Sequence, residues 1–183
     1  MSLTVNSYRK GSALSQNELE HMAFYAVSAM GPHNVYGPMQ QSFFAEMIVS
    51  YNAGRGELYI LSNPKNILSF AFVLDKYNGA GVYHIHLLST FRACRKKGYG
   101  SFLLDHIINK YPQQGITLET LPENIDFFKK SSFKIKTENL THGFVEMELN
   151  ASKKEGFSMV NMQPSVYDKY RGIFNDTAER LGY

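Results

Sequence analysis

Apolar and polar positions are first spaced for helices, then give way to short apolar runs. Leu3 to Tyr8 alternates weakly and predicts a first strand. Ser15 and Glu18 have the spacing of a capping box, in which each side chain reaches the other's backbone N–H. Leu19, Met22, Ala23, Ala26 and Met30 follow at helical intervals, so a helix is predicted up to Gly31-Pro32. His33 to Pro38 reads as a loop. Phe44, Met47, Ile48 and Tyr51 share one helical face and place a second helix over Met39 to Tyr51, broken at Asn52 to Gly56.

Three apolar runs come next: Glu57 to Leu61, Ile67 to Leu74 and Val82 to Thr90. Asn63-Pro64-Lys65-Asn66 and Asn78-Gly79-Ala80-Gly81 separate them, which predicts an antiparallel meander. Gly98 to Lys110 returns to helical spacing through Tyr99, Phe102, Leu103, His106 and Ile107. Ile116 to Leu121 reads as a strand, Glu123 to Ser131 as a helix opened by Pro122, and Phe133 to Lys136 and Phe144 to Leu149 as two last strands. The whole predicts an α+β fold: a central, mostly antiparallel sheet flanked by helices. The strand–helix–strand passage around Gly98 to Lys110 makes one parallel pair. Residues 1–150 form the expected domain and 151–183 an extension. Lys153 to Gly156 is linker-like, and Val166, Tyr170, Ile173, Phe174 and Leu181 suit a terminal amphipathic helix. Packing on the core, a substrate lid and a homodimer contact are all open to that helix.

Length and charge narrow the function. The chain of 183 residues is long enough for one well-packed core, and 44% hydrophobic with 19% charged residues is ordinary for a globular protein. The net charge is only +3, so no basic face for nucleic acid is expected. Cys94 is the single cysteine, which excludes an intrachain disulfide and suggests a reducing, cytoplasmic setting. The sequence has neither a signal-peptide core nor an apolar run of membrane length, so no membrane partner is expected.

The basic residues instead concentrate in one place. Arg92, Arg95, Lys96 and Lys97 lie between the strand ending near Leu88 and the helix beginning at Gly98. A strand, a glycine turn and a helix N-terminus build an anion site, because unpaired N–H groups converge there and the helix dipole adds roughly half a positive charge. A P-loop is excluded because no lysine stands between Gly100 and Ser101. A dinucleotide fingerprint is excluded because Leu103 occupies the third glycine position. What remains is Arg95-x-x-Gly98-x-Gly100. It resembles the Arg/Gln-x-x-Gly-x-Gly/Ala signature of the GCN5-related N-acetyltransferase (GNAT) superfamily. A second stretch, Asn124-Ile125-Asp126-Phe127-Phe128-Lys129-Lys130-Ser131-Ser132-Phe133, is similar to that superfamily's later motif, and the element order over Leu3 to Asn150 agrees.

The resemblance implies a splayed sheet of the acyl-CoA N-acyltransferase fold, with acetyl-CoA as the donor. It places the pyrophosphate on Arg95, Lys96, Lys97, Gly98, Tyr99, Gly100 and Ser101. The pantetheine is placed along Leu88, Ser89 and Thr90, with Asn124 as a partner and Phe128 nearby. The implied acceptor is a small-molecule amine, or a lysine or N-terminal amine of a peptide. Two departures stand out: Ser132 replaces a usual glycine, and Phe128 replaces a tyrosine that often protonates the leaving thiolate.

Acyl transfer to an amine needs a polarised carbonyl and a base. The resemblance implies that a backbone N–H of the splayed strand, near Leu88 to Thr90, is the oxyanion-type donor, with Leu88 the expected one. His84 and His86 alternate onto one strand face, with Val82 and Leu88. His84 lies eleven residues before Arg95, where the histone acetyltransferase branch carries a glutamate base, so it is the expected base. Glu119 is a second candidate. No ligand set for a metal is expected, since nothing joins His84 and His86. A non-catalytic acyl-CoA-binding module, a nucleic-acid binder built on the basic loop and a thioester hydrolase remain as alternatives.

Overall fold

A computed structural model describes residues 2–75, 81–138, 143–151 and 161–183, apart from the side chains of His33, Asn34 and Tyr36. The predicted turn at 78–81 and the linker at 153–156 lie wholly or mostly outside the described residues. The strands are β1 (Thr4–Tyr8), β2 (Gly56–Ser62), β3 (Ile67–Leu74), β4 (Tyr83–Thr90), β5 (Ile116–Thr120), β6 (Lys134–Thr137) and β7 (Val145–Leu149). The helices are α1 (Gln16–Ser28), α2 (His33–Asn52), α3 (Tyr99–Lys110), α4 (Ile125–Lys129) and α5 (Pro164–Arg180). One seven-stranded sheet runs β1-β2-β3-β4-β5-β7-β6, antiparallel except for the β4–β5 pair.

The capping box of α1 forms as expected, with Ser15 Oγ accepting from Glu18 N and Glu18 Oε2 accepting from Ser15 N at 2.8 Å. The expected loop at His33 to Pro38 is instead the start of α2. Pro32 enters from the N-cap position, and Pro38 falls early in the helix. Tertiary contact carries the backbone through that proline: Gln40 donates from Nε2 to the carbonyls of Val27 and Gly31 at 3.1 and 2.8 Å. The helix expected over Glu123 to Ser131 is a 3-10 turn, Pro122–Asn124, running into α4.

Alternation along the strands divides the core in two. On one face Leu58, Ile60, Phe70, Phe72 and Leu74 pack against α1, α2 and α5. On the other, Tyr59, Leu61, Ala71, Val73, Ile85, Ile116, Leu118 and Met147 pack against α3 and α4. The second face is mostly apolar, although Glu57 of β2 lies on it beside Tyr59. The first is mostly apolar over β2 and β3; β4 adds His84 and His86 to it, and beyond β4 it carries Thr117 and Glu119 of β5 and Glu146 and Glu148 of β7. A half-apolar sheet face marks where polar contents belong.

Candidate active site

β4 carries an irregularity that the sequence pattern hides. Phe72 pairs with Leu87, but Val73 pairs with Ile85, so His86 is an extra residue bulged out of the ladder. His86 and Leu87 therefore both face α1 and α2, and Leu88 turns to the opposite face with α3. The expected alternation of Leu88 with His84 and His86 is corrected by this bulge. β5 follows β4 only from Tyr83↔Ile116 to Ile85↔Leu118. Past Ile85 the two strands part. The backbone groups of β4 that point away from β3 then face a cleft rather than a neighbouring strand.

That cleft has a volume of about 750 Å³. β4 from Ile85 to Thr90 forms one wall and β5 with its exit, from Leu118 to Leu121, forms the other. The basic loop and the start of α3 close one end, through Arg95, Lys96, Gly98, Tyr99, Gly100 and Ser101. Asn124, Phe127 and Phe128 lie along the β5 side, and Met39 and Phe43 of α2 reach in from the first face. A more open depression of about 660 Å³ lies at the other end of α1, among Glu20, Ile173, Asp176, Glu179 and Arg180.

The loop suits an anion. Gly98 is the N-cap of α3 in the left-handed region at φ 81°, no side chain caps the helix, and its first turn holds no acid. The first helical bond is Phe102 N to Gly98 O, so the N–H groups of Tyr99, Gly100 and Ser101 are left for a ligand. A Cβ at Gly98 would meet no protein atom within 4 Å, whereas one at Gly100 would stand 3.2 Å from Thr90 Oγ1 and 3.6 Å from the Phe127 ring. Gly98 thus faces open space, and Gly100 lets the helix seat against β4 and α4.

Two basic side chains are already engaged. Arg95 donates from Nε to Thr90 O at 3.1 Å and from Nη2 to Ala29 O and Met30 O at 2.8 and 3.0 Å. It ties the loop to the end of α1, where carbonyls lack helical partners, while still lending charge to the cleft wall. Lys97 donates to Ala93 O at 2.9 Å and does not line the cleft. Asn124 is exposed at the rim, at the N-terminus of α4. Phe128 is buried edge-on to Phe127, with ring centres 4.9 Å apart. Ser132, where glycine was expected from the resemblance, adopts φ 68°, the conformation for which glycine is the low-cost residue.

The histidines separate sharply. His84 is 3% exposed, does not line the cleft, and its Nδ1 lies 3.0 Å from Thr117 Oγ1. Burial pushes its pKa well below the usual imidazole value, with the nearby charges of His86 and Lys136 acting in the same direction. His86 lines the cleft and stacks on Phe43 with ring centres 4.6 Å apart. Its Nε2 stands 2.9 Å from Glu46 Oε2 without an aligned hydrogen bond, a contact that becomes an ion pair when the imidazole is protonated. Glu46 Oε1 accepts from Tyr167 Oη at 2.9 Å. Glu119 also lines the cleft. Desolvation raises its pKa, reinforced by Glu146. Sequence reasoning missed Glu46, Phe43, Met39 and Tyr167. One signal was present: Glu46 is the only acidic residue in α2.

Comparisons with known proteins agree with this architecture. No curated protein sequence matches the chain. Among solved structures, an acyl-CoA N-acyltransferase from Pseudomonas aeruginosa superposes with a TM-score of 0.64 at 15% identity, over 80% of this chain and 99% of that one. A PaiA N-acetyltransferase from Thermoplasma acidophilum in complex with coenzyme A gives 0.56 at 18% identity, over 81% and 98%. The ribosomal-protein-S18-alanine N-acetyltransferase from Escherichia coli gives 0.57 at 16% identity, over 88% and 99%. At these identities the likeness is one of fold. The family itself rests on sequence: the model of the acetyltransferase (GNAT) family matches residues 27–133, more than half of the chain, and the protein belongs to that family.

Proposed function

We propose that the protein is an N-acetyltransferase that uses acetyl-CoA to acetylate a primary amine. The observation that carries this reading is the parting of β4 from β5 next to an uncapped helix N-terminus, which makes one cleft with an anion site at its end. Bound acetyl-CoA would supply the acyl thioester. The N–H groups of Tyr99, Gly100 and Ser101 would hold the pyrophosphate, with Lys96 adding charge. Leu88 to Thr90 and Asn124 would bind the pantetheine through backbone and amide groups. The Leu88 N–H is the proposed donor to the carbonyl oxygen, at the strand edge freed by the splay. Amines arrive as ammonium ions, and Glu46, Glu119 and Glu146 give that end of the cleft a negative field that favours them.

Phe128 supports a second reading, an acyl-CoA-binding module without turnover, because a phenyl ring has no proton to give. A thiolate is a modest base, since thiols titrate near pH 8.5, so protonation helps its departure without being obligatory. The test is thiol release from acetyl-CoA with a panel of amines, polyamines, amino acids, aminoglycosides and peptides. Release that depends on an amine is expected. Saturable CoA binding with no release under any amine would establish the module instead, and release without an acceptor would establish hydrolysis.

A further inference from the structure

We propose that His86 is the general base of the transfer and that Glu46 and Tyr167 position it, so that the C-terminal helix completes the active site. The inference rests on the acetyl-transfer reading and adds to it a residue from outside the segment matched by the family: Tyr167 lies beyond residue 133.

The geometry assigns the roles. The bulge in β4 takes His86 out of the ladder, and its side chain stands on the face where α2 crosses the cleft. Phe43 stacks on the ring and fixes its plane. The side chain is 9% exposed, so its one open direction is the cleft. Glu46 stands at Nε2 and turns its other oxygen to Tyr167, the two oxygens being engaged at 2.9 Å each. Among the described residues nothing hydrogen-bonds to Nδ1, which leaves that nitrogen for an acceptor. The charged and titratable groups facing His86 are Glu46 from α2, Glu119 from β5 with Glu146 of β7 behind it, and His84 on its own strand, with ring centres 6.1 Å apart. Tyr167 of α5 acts through Glu46. It keeps its proton through the neutral range, because burial, then the charge of Glu46, push its pKa up to about 12.

A base is needed because the same carboxylates that attract an ammonium ion also stabilise it. In the step, the ammonium gives one proton to His86 Nδ1. The amine lone pair then forms the C–N bond to the thioester carbonyl carbon. As the tetrahedral adduct collapses, the C–S bond breaks and sulfur leaves with the electron pair. The second nitrogen proton goes to solvent, and His86 returns its own there. Glu46 stabilises the imidazolium, and Tyr167 keeps Glu46 from turning away into water. The arrangement follows the nucleophile–base–orienting-group logic of other acyl transferases, reduced to its last two members.

The test combines a titration that needs no substrate with kinetics. Imidazole resonances followed by NMR, with His86 assigned by its loss in His86→Gln, give its titration in wild type and Glu46→Gln. Loss of the carboxylate should move the His86 midpoint down by about one pH unit. An unmoved midpoint overturns the role of Glu46. In steady-state assays with whichever amine of the panel is turned over, His86→Gln should lower kcat by roughly 100-fold and abolish the acidic limb of kcat/KM, with the KM for acetyl-CoA unchanged. A persisting acidic limb returns His86 to a structural role. Tyr167→Phe should lower kcat several-fold alone and add nothing in the Glu46→Gln background; additive losses would show that α5 acts on stability alone. Should no amine be acetylated, the Proposed function falls and the base with it, while the NMR arm still decides the Glu46–His86 contact.

Discussion

Two clusters of ionisable side chains lie on this sheet, and they differ in how completely each is satisfied. At the start of β2, Glu57 has a side chain only 3% exposed. It accepts from Lys110 at 2.6 Å, Tyr59 at 2.8 Å, Arg9 Nε at 2.9 Å and Tyr111 at 3.1 Å. Burial alone would raise its pKa, but the hydrogen bonds led by Lys110 outweigh it and hold the carboxylate down at about 2. Both carboxylate oxygens accept, and the cluster ties the end of β1 and the end of α3 to the sheet. In the cleft, by contrast, His86 and Glu46 touch without an aligned bond, and Glu119 is exposed and pushed towards protonation. A satisfied network has nothing left to offer a ligand. A network with unmet atoms in a cavity is set up to exchange protons.

The largest expected effect comes from breaking the satisfied cluster. Glu57→Gln leaves Arg9 and Lys110 without their buried partner and should cost about 3–5 kcal/mol, read as a fall of roughly 10 °C or more in Tm. The sign with pH follows from the lowered pKa. The stabilisation from Glu57 is present above the ordinary carboxylate range and is lost as pH falls towards about 2. Acid unfolding of the variant should therefore be flatter than wild type in that window. CoA affinity of the folded variant should be unchanged; a parallel loss would mean that the two clusters are coupled.

Gly100→Val strikes the cleft and spares the cluster at Glu57. Its branched side chain meets Thr90 and Phe127 and pushes the first turn of α3 off the anion site. CoA binding by calorimetry should weaken by on the order of 100-fold, about 2.7 kcal/mol. Binding equal to wild type would remove the loop from the cofactor site.

His84→Gln separates the two histidines. It should cost about 1–2 kcal/mol through the Thr117 contact and packing while leaving the acidic limb of kcat/KM in place. His84 is neutral when folded because burial lowers its pKa, whereas the unfolded chain takes up a proton near pH 6.5. Wild-type stability should thus fall as pH drops below that value, and the variant should lose this slope in denaturant titrations. Ser132→Gly carries the smallest effect: relief of the left-handed conformation at the turn after α4 should stabilise by about 1 kcal/mol, with turnover unchanged.

The anion loop was legible in the sequence because its parts are contiguous. Backbone N–H groups, the glycine at the N-cap and the start of α3 all fall between Arg95 and Ser101, and local geometry suffices to assemble them. The capping box of α1 and the apolar periods of β2 to β4 and α3 were legible for the same reason: near neighbours determine them. The start of α2 was not, because Gln40 bonding to the end of α1 overrides the local preference of Pro38.

The part of the cleft around His86 is non-local throughout. A single extra residue at His86 changes which face Leu87 and Leu88 occupy, and strict alternation cannot express it. It also leaves His84 buried against β5 and presents its near-identical neighbour to the cleft. Glu46 and Tyr167 meet across 121 positions of chain, so nothing in either segment announces the other. The order of elements and the anion loop were set by the sequence through short-range periodicity and turn chemistry. Which histidine lines the cleft, and what it packs against there, was decided by packing, because only the folded sheet and the helices across it bring β4, α2 and α5 to one point.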